Sequence, residues 1–248
     1  MEDEDGQPEM WVMGGEDGEG ILATVEAYNP RTNTWRSCLP LSQRRSGAVA
    51  GVVGGRLVVA GGYGVGVGRL TSAEAYTPTG WIPLPPLPHA AWAATACVLN
   101  GRLYVMGGRH CNKLQVLEMS EENEFTWTVK AELPSRRSGA YSTVLGGKLW
   151  LIGGRVWDGQ GHSMGTATAT VNIYDVANDV WATGPALPDD LVDCQGATTW
   201  DGEIYVSGRT TETNEEVMFR YRGGAWEAVD VPGAIWNAYS TRQSLLLG

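Results

Sequence analysis

A diglycine that directly follows an apolar run recurs through this 248-residue chain: "MWVMGG", "RLVVAGG", "RLYVMGG" and "KLWLIGG". The pairs begin at Gly14, Gly61, Gly107 and Gly153, and a degenerate "SG" begins at Ser207. Their intervals are 47, 46, 46 and 54 residues. Tryptophan keeps an independent count at Trp35, Trp81, Trp127, Trp181 and Trp226, with intervals of 46, 46, 54 and 45. Two unrelated markers in one phase mean that a single structural unit is repeated along the chain.

Turn chemistry divides each unit into four short strands. In the second they read "GAVAGVV", "RLVVAGG", "TSAEAYTP" and "GWIPLPPLP". The first strand is built of small residues in most units, as expected where sheets converge on an axis. The second is apolar on both faces, the pattern of a sheet sandwiched between two neighbours. Glycine admits positive φ and close backbone approach, while Tyr and Trp supply large buried areas between sheets. An open stack would leave apolar faces and strand edges uncovered, so the expected architecture is a closed ring of blades.

Composition agrees, with 34 Gly and 11 Trp against 2 Phe. The formal charge of −10 argues against nucleic acid or an anionic membrane as partner, unless a basic patch stands out locally. "MEDEDGQPEM" has neither the basic nor the apolar region of a signal peptide; residues 1–9 are expected to be a flexible acidic tail, and the location cytoplasmic or nuclear. Cys38, Cys97, Cys111 and Cys194 are far apart without CxxC spacing, so reduced thiols are expected. No apolar stretch approaches the roughly 20 residues of a membrane helix.

The diglycine ending a second strand, a tyrosine late in the third ("EAYNPRTNTW", "NIYDVANDVW") and a tryptophan opening the fourth resemble the kelch repeat, over Met10 to Gly248. "RRSGAVAGVVGGRLVVAGGY" is similar to the kelch domains of the BTB-kelch ubiquitin-ligase adaptors. The resemblance implies an all-β kelch-type β-propeller forming one domain over 10–248. Because the first unit starts at its second strand, the ring is expected to hold five four-stranded blades, closed by "AIWNAYST" (234–241); "SLLLG" at 244–248 leaves a six-bladed ring as the alternative.

In BTB-kelch domains partners are held by loops on one face, before the first strand's glycine and after the diglycine. Those positions here are Arg45, Ser46, Arg137 and Ser138 in two "RRSG" stretches, and Tyr63, Arg109, Arg155 and Arg209 after the glycines. The third unit has Ala91 and Trp92 in place of the Arg-Ser pair, making an apolar wall at Trp92, and the fifth has Val192 and Asp193. The fourth unit's insert "RVWDGQGHSMGTATAT" would bring Trp157, Asp158, His162 and Met164 to the same face, Trp157 as an interface anchor. The glycine-rich "GGYGVGVG" reads as a flexible linker. Converging guanidinium groups bind carboxylates bidentately, so the expected ligand is an acidic peptide or protein. No BTB, BACK or F-box segment accompanies the repeats, so any ubiquitin-ligase link is expected to come from another chain.

The competing expectation is a kelch-type enzyme acting on a small acidic molecule, mutarotase-like or oxidase-like. Copper-radical oxidases of this fold need two His, two Tyr and a Cys at the metal, whereas only His89, His110 and His162 exist here, on separate units. The specifier-protein iron motif ExxxDxxxH is matched at Asp158 and His162, but Gly154 stands where its Glu belongs. No Ser or Cys sits beside a plausible base. The expectation is a non-enzymatic module with no cofactor and no metal.

Overall fold

The structure is a computed structural model and describes residues 8–157 and 165–230, with the backbone alone at 192–195. Every regular element among the described residues is a strand. The first sheet holds β1 (Met10–Met13), β2 (Val25–Asn29) and β3 (Thr34–Ser37). The second region runs β4 (Val49–Val53), β5 (Arg56–Ala60), β6 (Tyr63–Gly64), β7 (Gly68–Arg69), β8 (Ala73–Thr77) and β9 (Gly80–Leu84). The third is β10 (Thr95–Leu99), β11 (Arg102–Met106), β12 (Leu114–Met119) and β13 (Phe125–Lys130). The fourth runs β14 (Arg137–Ser138), β15 (Tyr141–Leu145), β16 (Lys148–Ile152), β17 (Arg155–Val156), β18 (Thr166–Ala167), β19 (Val171–Asp175) and β20 (Val180–Thr183). The fifth is β21 (Leu191–Trp200), β22 (Glu203–Thr210), β23 (Glu216–Arg222) and β24 (Ala225–Val229).

These strands form antiparallel four-stranded sheets β4-β5-β8-β9, β10-β11-β12-β13, β15-β16-β19-β20 and β21-β22-β23-β24, after the three-stranded β1-β2-β3. They are the blades of a β-propeller. Successive first strands β4, β10, β15 and β21 lie side by side, tied by hydroxyl pairs Thr95–Ser142 and Thr143–Thr199, each at 2.8 Å. The strand expected to close the ring, 234–241, and the 244–248 segment lie outside the described residues. The fold also takes in the end of the expected flexible tail: Glu9 is buried, and its carboxylate accepts from Arg36 Nε at 2.9 Å and Nη2 at 2.6 Å.

The repeated diglycine has a specific cause. The first glycine of a pair has positive φ, and a Cβ there would strike a carbonyl of the next blade: Arg45 O at 2.4 Å from Gly14, Ala91 O at 2.3 Å from Gly61, Arg137 O at 2.4 Å from Gly107. The second glycine donates its N–H to that same oxygen, at 2.8 Å from Gly15, 2.6 Å from Gly62 and 2.8 Å from Gly108. One residue lacks a side chain so that the next can bond across the blade boundary.

Tryptophan provides the second tie. The indole N–H of Trp81 donates to Leu39 O, Trp127 to Pro85 O, Trp181 to Ala131 O and Trp226 to Pro185 O, at 2.8–3.0 Å. Each acceptor lies four residues after the preceding blade's Trp. Apolar layers fill the spaces between consecutive blades: Trp11, Val25, Leu57 and Val59 between the first and second, Val58, Leu103 and Val105 between the second and third. Tyr104, Met106, Leu149 and Leu151 occupy the third boundary, and Trp150, Ile152, Ile204 and Val206 the fourth.

Strand β22 departs from the two-sided apolar pattern. Ile204 and Val206 face the fourth blade, so strand alternation turns Tyr205, Ser207 and Arg209 the other way. That far face is polar, carrying Arg220–Glu227, Arg222–Glu203 and Arg209–Glu216 ion pairs.

Candidate functional site

On the face where second strands end, the second and fourth blades rise above the third, which lies between them. In the second, "GGYGVGVGR" folds back as the β6-β7 hairpin, with Tyr63 paired to Arg69 and the Ser46 backbone bridged to Tyr63. This corrects the reading of that stretch as a linker: main-chain pairing on both sides of β6 holds it. In the fourth, β14-β17-β18 makes a small three-stranded sheet. The third blade crosses the gap between β11 and β12 by a tight turn, with Cys111 N–H donating to Gly108 O at 3.0 Å. A trough therefore opens over the third blade.

Its walls are aromatic and its floor cationic. The Tyr63 and Trp92 rings lie 4.9 Å apart. The Arg109 guanidinium lies 5.0 Å from the Trp92 ring and 5.0 Å from the Trp157 ring, a double cation–π contact. His110 packs against Trp157, the rings tilted by 50° with centroids 4.8 Å apart. Trp157 is fixed from behind, since its backbone N–H donates to Arg136 O at 3.0 Å and its indole N–H to Ser138 Oγ at 2.9 Å. Arg69 Nη1 donates to Arg109 O at 3.2 Å, which holds a second guanidinium beside His110.

The resulting cleft has a volume of about 580 Å³, is open to solvent, and is lined by Tyr63, Val67, Gly68, Arg69, Ala90, Trp92, Arg109 and His110. None of the described lining residues is acidic. Local desolvation, and then the charges of Arg69, Arg109 and Arg136, hold His110 below the ordinary imidazole range. The mouth is thus a positive site on a chain of net charge −10.

Of the ten residues expected to bind a partner, Tyr63, Trp92, Arg109 and Trp157 meet here. Ser138 is buried and supports Trp157, while Ser46 anchors the Tyr63 hairpin and reaches Glu16 Oε2 at 3.5 Å. Arg155 donates to Gly165 O at 3.3 Å, and Arg209 is paired with Glu216 at 3.1 Å in the fifth blade, so neither lines the cleft.

Arg45 and Arg137 correct the expected basic surface. They are 1% and 2% exposed. Arg45 donates to Gly61 O at 2.7 Å and Glu74 Oε1 at 2.8 Å, and Arg137 to Thr170 O at 3.0 Å and Asn172 Oδ1 at 2.8 Å. The blade that has Ala91 instead uses Gln115, which exchanges hydrogen bonds with the His89 backbone at 2.8 and 3.0 Å. These arginines are held inside the blade by their own hydrogen bonds.

The exposed arginines are their neighbours Arg44 and Arg136. Adjacent side chains on extended backbone point to opposite sides, so only one member of each pair turns into the blade. Arg69, Val67 and His110 line the cleft without having been expected there. Asp158, His162 and Met164 lie outside the described residues, as do the side chains of Val192 and Asp193. Among the described residues, no three His, Cys, Asp or Glu side chains gather where a metal could be held.

Comparison with known proteins gives three findings. Kelch-motif family models match residues 7–41, 44–88 and 136–188. The chain is 38% identical over 69 residues to Kelch-like protein 26 of Homo sapiens, covering 28% of this chain and 11% of that protein. It is 40% identical over 58 residues to Kelch-like protein 35 of Mus musculus, covering 23% and 10%. The matches thus span about a tenth of the length of these relatives. The solved structure of YjhT superposes with a TM-score of 0.72 at 15% identity, covering 90% of this chain and 81% of that one, a likeness of fold.

Proposed function

This chain belongs to the kelch-repeat family, and from that premise we propose that it is a non-enzymatic recognition module that captures an acidic segment of a partner protein in the cleft over its third blade. The observation that carries this reading is that Arg69 and Arg109 line one cleft, Arg69 Nη1 donating to Arg109 O at 3.2 Å, with no acidic residue among its described lining. Guanidinium forks hold carboxylates bidentately, and a cluster of them also steers anionic partners on encounter. An open trough lined by Tyr63 and Trp92, with Trp157 packed against Arg109 and His110, suits a polypeptide, because aromatic residues dominate the energy of protein interfaces. A pocket for catalysis on a small acid would instead be expected to be deep and closed with an Asp or Glu inside it, whereas this cleft is open and its described lining holds neither. The resemblance to BTB-kelch adaptors suggests one setting for such capture, as substrate receptor for a ubiquitin ligase assembled with another chain.

The test is affinity capture from lysate with the wild-type chain and with an Arg69→Ala, Arg136→Ala double variant, quantified by mass spectrometry. Both side chains are exposed, so the double variant is expected to fold normally. Proteins that the wild type retains and the variant loses, with retention falling as salt rises, are the expected result. Identical captured sets would overturn the reading.

A further inference from the structure

The tip of the β6-β7 hairpin reads Gly64-Val65-Gly66-Val67-Gly68, and its two valines are 67% and 68% exposed. A solvated turn normally takes polar residues beside its glycines. Single exposed valines are ordinary, but Val67 is one of the residues that line the cleft. The ladder pairs Tyr63 with Arg69, so one hairpin presents an aromatic ring, an aliphatic group and a guanidinium to the same space. The Tyr63–Trp92 ring pair continues this apolar wall to the floor.

Resting on the reading of the cleft as an acidic-segment site, we propose that the captured segment carries an aliphatic side chain next to its carboxylate. The aliphatic group seats between Val67 and the Tyr63–Trp92 pair while the carboxylate meets Arg69 and Arg109. Charge complementarity selects the carboxylate, since Arg69 and Arg109 line the cleft and none of its described lining residues is acidic. The exposed apolar area selects its neighbour: a side chain that covers Val67 removes aliphatic surface from water on both partners, which a serine or glycine in that place does not.

The experiment uses the full chain and three blocked peptides, Ac-Leu-Glu-Leu-NH2, Ac-Ser-Glu-Ser-NH2 and Ac-Leu-Gln-Leu-NH2, titrated to millimolar concentration while NMR follows the indole N–H signals of Trp92 and Trp157. The leucine-glutamate peptide is expected to bind about tenfold more tightly than its serine counterpart, the effect of partly burying one aliphatic side chain. Val67→Ser is expected to erase that preference, whereas Arg69→Ala weakens both glutamate peptides alike. Equal affinities for the two glutamate peptides, or a preference that survives Val67→Ser, would overturn the inference and leave the basic cleft standing. Glutamine binding as well as glutamate, or no peptide moving either indole, would overturn the acidic-segment reading beneath it.

Discussion

Arg45 and Glu74 form an ion pair inside the second blade, Nη2 to Oε1 at 2.8 Å, with 1% and 2% of their side chains exposed. Glu74 also accepts from Ser42, at its backbone N–H (2.9 Å) and its hydroxyl (2.6 Å), and Arg45 caps the Gly61 carbonyl. One buried pair therefore ties the loop before β4 to β5 and β8.

Removing one member leaves the other charge buried and unpaired, which costs about 3–5 kcal/mol. Arg45→Met or Glu74→Leu alone is expected to lower Tm by roughly 10 °C in a domain of this size. The Arg45→Met, Glu74→Leu double variant is expected to regain much of that loss. Calorimetry on the three variants checks it; additive losses would mean that the two charges do not depend on one another.

Gly61 and Gly55 both have positive φ, 66° and 73°, but only Gly61 faces a neighbour, Ala91 O at 2.3 Å from a would-be Cβ. Gly55→Ala is expected to cost about 1 kcal/mol of backbone strain. Gly61→Ala adds a clash with main chain and is expected to cost at least 2 kcal/mol more, in the range of overpacked sites. Urea unfolding of the two variants separates the contributions.

Asp179 Oδ1 accepts from Tyr174 Oη at 2.5 Å and from Ala131 N–H at 2.8 Å, linking the fourth blade to the third. The tyrosine hydrogen bond, then the backbone N–H, hold this carboxyl below its ordinary range. A carboxyl lowered in the folded state adds stability that is fully present above its unfolded value near 4 and is lost as pH falls through the folded value. Asp179→Asn is expected to lower Tm at pH 7, and the gap from wild type is expected to shrink steadily as pH falls below about 4. A gap that stays constant to pH 2 would show that the carboxylate's charge contributes nothing.

His110 titrates low because of local desolvation and the positive charges of Arg69, Arg109 and Arg136. Its NMR midpoint is expected below about 6.5, the free value, and is expected to rise in Arg69→Ala. An anion bound at the cleft opposes the arginine field and raises the midpoint too. Binding then takes up protons, so affinity strengthens as pH falls through the bound-state midpoint. A midpoint insensitive to Arg69→Ala would place that guanidinium out of reach of the imidazole.

Much of the fold is legible along the chain because its markers are local. The strands expected in the second unit match β4, β5, β8 and β9 to within a few residues, since alternation, turn glycines and the Tyr–Trp pair act over short distances. The site was half legible. Tyr63, Trp92, Arg109 and Trp157 follow from their place after or before a blade's strands, whereas Arg69 and Val67 depend on a hairpin folding back where glycine content had suggested a linker.

The amino-acid order by itself determined the repeat, the strand pattern and the need for glycine before each blade boundary, because each follows from residue size and backbone freedom within one unit. Tertiary structure alone decided which arginines face solvent. In "RRSG" the two side chains are chemically identical, and only the neighbours Glu74 and Asn172, brought from strands about thirty residues away, draw Arg45 and Arg137 inward. The cleft likewise belongs to no single unit: it exists because the second and fourth blades carry extensions and the third, between them, does not.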